Sequence, residues 1–541
     1  MQLRALLFLL LCGGSLCDGF AIGWDSGILQ VVIRFSSLFL AVLLASLACA
    51  AAREFSVLTY NVENLFDADG AAAFDDYKET GRPDSYSRGH LLEKIRTIGN
   101  VLRTFNGGEG PEVVLLNEIE IDFTPDSSTT DLPAFLEKYR SVKLEHMLGN
   151  GFTDEVGGLP SEALLLKHLE EIGLRGYHVA VGADVADLAA LQDNPGGARV
   201  KAQKNAIFSK FPITSVRSHS TANARDILEA TLDVDGTPFT VFVNHWKSGA
   251  SDAESEVSRR ENAATLRKRI DEILADNSSA DLLLAGDFNS HHNQNGVFPE
   301  VAPSGLNDIL GSRGDEAATA VARGFSLYNL WYELPPAERG SDHHRGYWGT
   351  LMQKILTPGL YDQNGIQYVD NSFTRVVLPG VNAATPLNLP KRWTNAGRQG
   401  GGASDHFPVA ARFRTVAEGD KETRLIPENP GSDQGDSDEK LRIPYETFRK
   451  QDARVFGPQH AREPAQNSGE FFLVRSRVVS KNPTLIEAAG RTYEVFAHDQ
   501  DLRRRIERWE PGAPVEFLGQ LGMHRGRMQF VVFDKSWILK E

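Results

Sequence analysis

Two stretches of the chain run through the same order of events, and this repetition constrains the fold more than any other feature. In "LLEKIRTIGNVLRTFNGG" (91–108), Leu92, Ile95, Ile98, Leu102 and Phe105 fall at helical spacing, with Gly107 and Gly108 as a stop. A buried strand, "PEVVLLNEIE" (111–120), follows. Later, "SRRENAATLRKRIDEILADN" (258–277) is an amphipathic helix through Leu266, Ile270, Ile273 and Leu274, and "DLLLAGDFNS" is the strand after it. Each unit ends in an acidic residue, Glu118 or Asp287. Between and beyond lie short strands in "YHVAVG", "NAIFSKFPI", "ILEATLDVDGTPFTVFVNHWKSG" and "SDHFPVAARF", several alternating or hairpin-paired. Helices interleaved with such strands predict an α/β protein with mixed sheets.

The 541 residues predict two domains plus tails, and 41% hydrophobic residues supply ample core. A net charge of −15 argues against a generic polyanion binder, while leaving room for a local basic cleft or a phosphate held through a metal. All three cysteines, Cys12, Cys17 and Cys49, lie in the first fifty residues. Neither disulfides nor thiolate metal sites can therefore support the body. Residues 1–52 read as a signal peptide or leader: Arg34, the apolar "LFLAVLLASL", then the small residues "ACAAA". Export to the periplasm or medium is expected, with a retained membrane anchor as the alternative. The body spans 53–415. Residues 121–170 and 290–350, polar and Gly-rich, read as insertions rimming a site. An acidic linker rich in Pro, Gly and Ser covers 416–445. From 446 to 541, short strands around "DQDLRRRIERW" predict a small β-barrel resembling an oligonucleotide-binding fold. Its role is open between docking and nucleic-acid contact, the latter through Arg503–Arg505 and the aromatics Phe471, Phe472 and Trp509.

Five strand ends carry polar chemistry: Asn61 and Glu63, Glu118, Asn244–His245, Asp287 and Asn289, and Asp405–His406. An Asp or Asn after a strand is usually turn chemistry, so one instance means little. Five ends supplying only carboxylates, amides and imidazoles predict one converging pocket. The chain has no serine elbow, no cysteine nucleophile in its body and no Gly-rich phosphate loop with its lysine. Hard oxygen donors favour Mg²⁺, with Mn²⁺ or Ca²⁺ as alternatives, and the set points to metal-assisted hydrolysis of a phosphate ester.

The series "TYNVENLF … LLNEIE … NAIFSK … FVNHWKSG … LLLAGDFNS … SDHFPV" resembles the endonuclease/exonuclease/phosphatase superfamily over about residues 54–415. The resemblance implies a four-layered α/β sandwich with two mixed sheets and a metal-dependent phosphoric ester hydrolase. It further implies Asn61, Glu118 and Asp405 as metal-site residues. Asp287 would deprotonate the attacking water, Asn289 would bond the phosphate or that water, and His406 would bind a non-bridging oxygen. His245 would help protonate the leaving oxygen, with Asn244 orienting it and Lys247 beside it on the substrate. In the family an Asp in a "LDHIL"-like strand partners the last histidine, and here "LMQKIL" places Gln353 in that position. Either Gln353 serves, or Asp342 or Asp362 replaces it. The expected activity is an exported Mg²⁺-dependent phosphodiesterase, foremost a nuclease acting on DNA through a metal-positioned water, with no covalent intermediate and no obligate protein partner. A phosphomonoesterase or a sphingomyelinase-like lipid phosphodiesterase is the alternative, and a non-catalytic binding protein the third reading.

Overall fold

The computed structural model describes residues 52–72, 86–122, 131–182, 202–221, 223–322, 327–392, 402–416, 425–428, 440–464, 467–524 and 527–541. The leader, but for residue 52, and most of the expected linker lie outside the described residues.

Two seven-stranded sheets face each other. The first contains Glu54–Leu65 (β1), Val113–Glu120 (β2), His178–Val181 (β3), Gln203–Ser209 (β4), Ile366–Tyr368 (β14), Thr374–Arg375 (β15) and Val409–Thr415 (β18). Its order is β14-β18-β1-β2-β4-β3, with β15 beside β18, and β1–β2 is the parallel pair. The second contains Ile213–His219 (β5), Ile227–Val234 (β6), Thr237–His245 (β7), Leu282–Asp287 (β8), Ser312–Arg313 (β9), Leu327–Asn329 (β10) and Met352–Leu356 (β13), ordered β5-β6-β7-β8-β13-β10-β9. At its centre β7 and β8 run parallel. Two hairpins stand apart: Asp342–His344 (β11) with Tyr347–Gly349 (β12), and Ala383–Ala384 (β16) with Leu389–Pro390 (β17).

Alternation along the strands builds the layers. Phe55, Val57, Val113, Leu115, Leu283 and Ala285 point between the sheets into one core. Leu58, Tyr60, Val114 and Leu116 point outward, against Arg88–Leu102 (α1) and Ser161–Glu171 (α2). Leu282 and Leu284 point the other way, against Leu266 and Ile270 of Ala253–Asp276 (α3). The result is the four-layered sandwich. Helix α1 ends at Leu102, short of the expected glycine stop, because the chain tightens into a 3-10 turn at Asn106–Gly108. Helix α3 starts earlier than expected because the Asp252 side chain caps it, accepting from Ser255 N–H at 3.0 Å.

Residues 121–170 are not simply a rim. Leu132–Lys138, Leu144–Leu148, Asp154–Gly157 and α2 are helical, and Met147, Leu164, Leu165 and Leu169 join the outer core. The apolar run Ala163–Leu166 required burial, and the outer face of the first sheet supplied it. The 290–350 stretch likewise places Leu306 and Leu310 against α3.

The third sheet contains Arg454–Val455 (β19), Phe471–Ser480 (β20), Leu485–Ala488 (β21), Arg491–Phe496 (β22), Pro514–His524 (β23), Arg527–Val531 (β24) and Ile538–Lys540 (β25). Strands β20-β21-β22-β24-β23 close back onto β20, with β22–β24 parallel and the helix Gln500–Glu507 (α4) between β22 and β23. This five-stranded Greek-key closure is that of the oligonucleotide-binding fold. Phe471, Phe472 and Trp509 are at most 4% exposed and fill the barrel core, so they cannot stack on a ligand as the sequence reading had them. Arg505 pairs with Glu541 at 2.9 Å and Arg504 with Asp501 at 3.2 Å, which leaves Arg503 as the member of that cluster on other partners. Ile443 and Tyr445, placed by sequence in the linker, are buried in this core. Among the described residues no helix is long and apolar enough to cross a membrane.

Candidate active site

The two parallel pairs deliver their carboxyl ends to one place. In register, β1 brings Asn61 opposite Asn117 of β2, and β7 brings His245 opposite Asp287 of β8. The close approach of β7 and β8 requires glycine at 286: its φ is 129°, and a Cβ there would lie 2.0 Å from the Asn244 carbonyl oxygen. Irregularities after Asn61 and after Leu116 break the ladders at the point where side chains must be re-aimed. Glu63, Asn64, Glu118 and Asn289 all adopt left-handed backbone, φ 45–65°, a cost of about 1–3 kcal/mol each that clusters here.

Asn61 lies at the centre of the site. Its Nδ2 donates to Glu118 Oε1 at 3.0 Å and to Asp287 Oδ2 at 3.1 Å, while its Oδ1 accepts from Glu63 N–H. Glu118 Oε2 accepts from Asn64 N–H at 2.9 Å and from Gln203 Nε2 at 3.0 Å. Asp287 Oδ1 accepts from Asn289 N–H at 2.8 Å, and Asn289 Nδ2 donates to the Trp246 carbonyl. His245 Nε2 is 3.7 Å from both Glu118 Oε1 and Asp287 Oδ2, and His406 Nε2 is 3.7 Å from Asp287 Oδ2. One ligand atom from each of Glu118, His245 and Asp287 lies within 4.8 Å of the others, a donor set able to hold a divalent ion.

Charge divides the two imidazoles. Burial, then Arg225 and His406, hold His245 well below the usual imidazole range and therefore neutral, the form in which imidazole is a ligand. Burial also opposes charge on His406, but Asp405, Asp287, Asp342 and Glu118 outweigh it and raise that imidazole to about 9. Burial raises Glu118, with Asp405 adding to it and Arg225 opposing. Glu63 is pushed up to about 7 by burial, against the pull of Arg392. Burial works against charge on Asp405 as well, yet His406 and Arg392 hold it below the usual carboxylate range.

Three assignments change. Gln353 does not partner His406. On β13, Met352, Lys354 and Leu356 face the first sheet, so Gln353 faces the opposite side. There its Nε2 donates to Ser290 O at 2.6 Å and its Oε1 accepts from Asn329 Nδ2 at 2.6 Å. Asp342 stands by His406 instead: their backbones form a β-bridge and their charges act on each other, while Asp362 lies beside Asp281. Asn244 does not face the cleft. Its Nδ2 donates to Phe242 O and Ala285 O, and its Oδ1 accepts from Trp246 Nε1 at 3.1 Å, which ties β7 to β8. Asp405 falls outside the three-donor set, 3.7 Å from His406 Nε2 and 3.5 Å from the Arg392 guanidinium. Lys247, half-buried, is tied through its backbone N–H to Asn262 Oδ1.

Residues the sequence reading passed over hold this arrangement in place. Asn117 links the two sheets beneath the site: its Nδ2 donates to Asn205 Oδ1 and Asn244 O, and its Oδ1 accepts from Asp287 N–H at 3.0 Å. Its signal was present, an amide ending the apolar run Val113–Leu116. Lys94, fully buried on α1, donates to Val62 O, Glu63 O and Ala403 O at 2.7–2.9 Å, pinning the loop after Asn61 to the one carrying His406. Ser404 Oγ donates to Asn61 O and accepts from His406 N–H. Arg225 and Gln203 sit in segments that carry no motif.

Residues 202–415 match the model of the endonuclease/exonuclease/phosphatase family. Over that stretch the chain is similar to this superfamily, in agreement with the resemblance read in its motifs. Members of the superfamily are metal-dependent phosphoric ester hydrolases, and the Glu118–His245–Asp287 set is consistent with that chemistry. No curated protein matches the chain. Solved structures similar to it include D. rerio TDP2 complexed with single-strand DNA product, 12% identical over 67% of this chain and 99% of that one, TM-score 0.35. The ANGEL2 2',3'-cyclic phosphatase in complex with adenosine-2',3'-vanadate is 13% identical over 67% and 96%, TM-score 0.35. The human Nocturnin catalytic domain with bound sulfate is 13% identical over 67% and 94%, TM-score 0.35.

Proposed function

We propose that the chain is an exported, Mg²⁺-dependent phosphodiesterase acting on nucleic acid. The observation that carries the reading is the meeting of Glu118, His245 and Asp287 within 4.8 Å, with His406 against the same Asp287 oxygen. Glu118, Asp287 and neutral His245 would hold the ion, and Asn61 would join them through Oδ1 on rotating its amide. When bound, the ion supplies Lewis-acid charge against a phosphoryl oxygen.

The chain's own groups account for the rest. Asp287, whose Oδ1 accepts from Asn289 N–H and whose own N–H donates to Asn117 Oδ1, is placed to take the proton of an attacking water. His406 meets a non-bridging phosphate oxygen as an imidazolium, with Asp342 and Asp405 stabilising its charge. His245, being neutral, is assigned to the ligand set rather than to protonation of the leaving oxygen. Arg392, at the mouth with 58% of its side chain exposed, is placed to meet the next phosphate of a polymer. The apolar leader supports export.

The test is a screen of the full chain on single- and double-stranded DNA, RNA, sphingomyelin and inositol phosphates, with Mg²⁺ and with a chelator. Metal-dependent release of nucleotides is expected. Hydrolysis of the lipid or the inositol phosphates alone would overturn the nuclease reading. Asp287→Asn should cut kcat by at least about 10²-fold at unchanged Tm. A variant as fast as the wild type would remove Asp287 from the chemistry.

A further inference from the structure

We infer that a single-stranded polynucleotide leaving the cleft continues over the β11–β12 turn onto the C-terminal barrel, its phosphates met by Arg392, Arg345 and Arg503 and its bases by the rings of His344, His498 and Phe496. This deepens the nuclease reading and rests on it.

The track begins at the cleft. Arg392 lies 2.9 Å from Glu63 and 3.5 Å from Asp405. The β11–β12 hairpin springs from the same wall, since Asp342 at its base bridges to His406. Its turn carries Arg345, exposed and at φ 48°, followed by Gly346 at φ 90°. The turn is pinned to the first segment of the barrel: Trp348 N–H donates to Leu441 O at 2.7 Å, and Ile443 N–H to Gly346 O at 2.9 Å. This pinning makes the hairpin a bridge between the sandwich and the barrel.

On the barrel side, exposed His498 lies close enough to His344 and Arg345 for their charges to act on it. Arg503, in the first turn of α4, stacks its guanidinium over Phe496 at 4.5 Å and donates to Ala497 O at 2.9 Å. The Phe496 and His498 rings meet edge-on at 5.1 Å, the His498 ring exposed and the Phe496 ring half-exposed. Partial desolvation by neighbouring atoms, then the positive charge of Arg345 beside His344 and of Arg503 beside His498, shifts both imidazoles below their usual range, which favours the uncharged ring. Three guanidiniums and the rings of His344, His498 and Phe496 in one path form the combination that non-specific single-strand binders use, phosphate contact beside base stacking. In a chain of net charge −15 such a path is local charge complementarity, distinct from the average surface.

The experiment measures binding of labelled oligothymidylate by fluorescence anisotropy, using the full chain carrying Asp287→Asn so that the probe survives. A dinucleotide and an oligomer of about 16 nucleotides are compared across a KCl series. The long oligomer should bind roughly tenfold or more tighter than the dinucleotide. Adding Arg345→Gln and Arg503→Gln should abolish most of that difference and reduce the salt slope by about 1.4, which is about 0.7 for each phosphate no longer neutralised. His498→Ala, at an exposed position, should weaken the long oligomer without changing the slope. Unchanged affinity and slope in both variants would overturn the track. So would equal displacement of the oligomer by polyglutamate, which offers charge without bases. Wild-type cleavage of polynucleotide alongside such a result would leave the nuclease reading standing. No cleavage of any polynucleotide would remove both.

Discussion

At the scale of single residues, the site depends on which face of a strand a side chain occupies. Gln353 and Asp342 illustrate it. A family-like motif put Gln353 beside His406, yet strand parity turns it to the far side of β13, where both ends of its amide are hydrogen-bonded. Gln353→Ala should therefore cost stability, about 1–3 kcal/mol for the buried partners left unmatched, with kcat within about twofold of wild type. Asp342→Asn should do the reverse: roughly 10- to 100-fold lower kcat at nearly unchanged Tm, because His406 loses the carboxylate that faces it. Paired thermal melts and initial rates decide the matter, and a Gln353→Ala variant that is stable but slow would restore the motif-based assignment.

At the scale of elements, the sequence showed most where periodicity and burial coincide. Leu266 and Ile270 fixed the face of α3, and the apolar runs ending at Glu118 and Asp287 fixed two central strands. The sequence showed least where partners are remote in the chain. Asn117, Lys94 and Arg225 matter for what they reach across the fold, and no local pattern marks that. Residues 121–170 looked polar on average, though the leucines among them line up on one side only after the helices form. Asp281, just before β8, is another such remote link: its Oδ2 accepts from Ile366 N–H at 2.7 Å, tying the second sheet to the first. Burial, with Asp362 adding, raises its carboxyl to about 8. A carboxyl raised on folding binds its proton more tightly in the native state, so its contribution falls as pH climbs from about 4 to about 8, by up to about 1.4 kcal/mol per unit. Asp281→Asn should flatten the decline of Tm over that range. A variant whose Tm tracks the wild type from pH 5 to pH 8 would show that Asp281 titrates normally.

At the scale of the whole molecule, the barrel's core takes in the β16–β17 hairpin of the preceding body, a coupling that the apparent linker in the sequence concealed. Composition across 416–445 signals a flexible tether, and the β-module beyond it reads as independent. In the structure Ala384 and Leu389 of the β16–β17 hairpin are buried in the barrel's own cluster, and Trp348 packs against it. Polar contacts flank them: Lys391 Nζ is 3.1 Å from Glu470 Oε1, and Thr385 Oγ1 donates to Glu470 Oε2 at 3.1 Å. A leucine taken from full burial to water loses about 1.5–3 kcal/mol, and at roughly 2.1 cal/mol/K per residue each kcal/mol moves the Tm of a body this large by about 1–2 °C. A chain ending at Val416 should thus melt several degrees below the full chain and self-associate through the uncovered hairpin. The full chain should unfold in one transition, since the barrel's core is complete only with Ala384 and Leu389 of the β16–β17 hairpin in place. Differential scanning calorimetry with light scattering tests both points. Two resolved transitions in the full chain, or a truncated form melting at the full-length temperature, would mean that the two parts are coupled only through the tether, and the β11–β12 turn would then lose its fixed position between cleft and barrel.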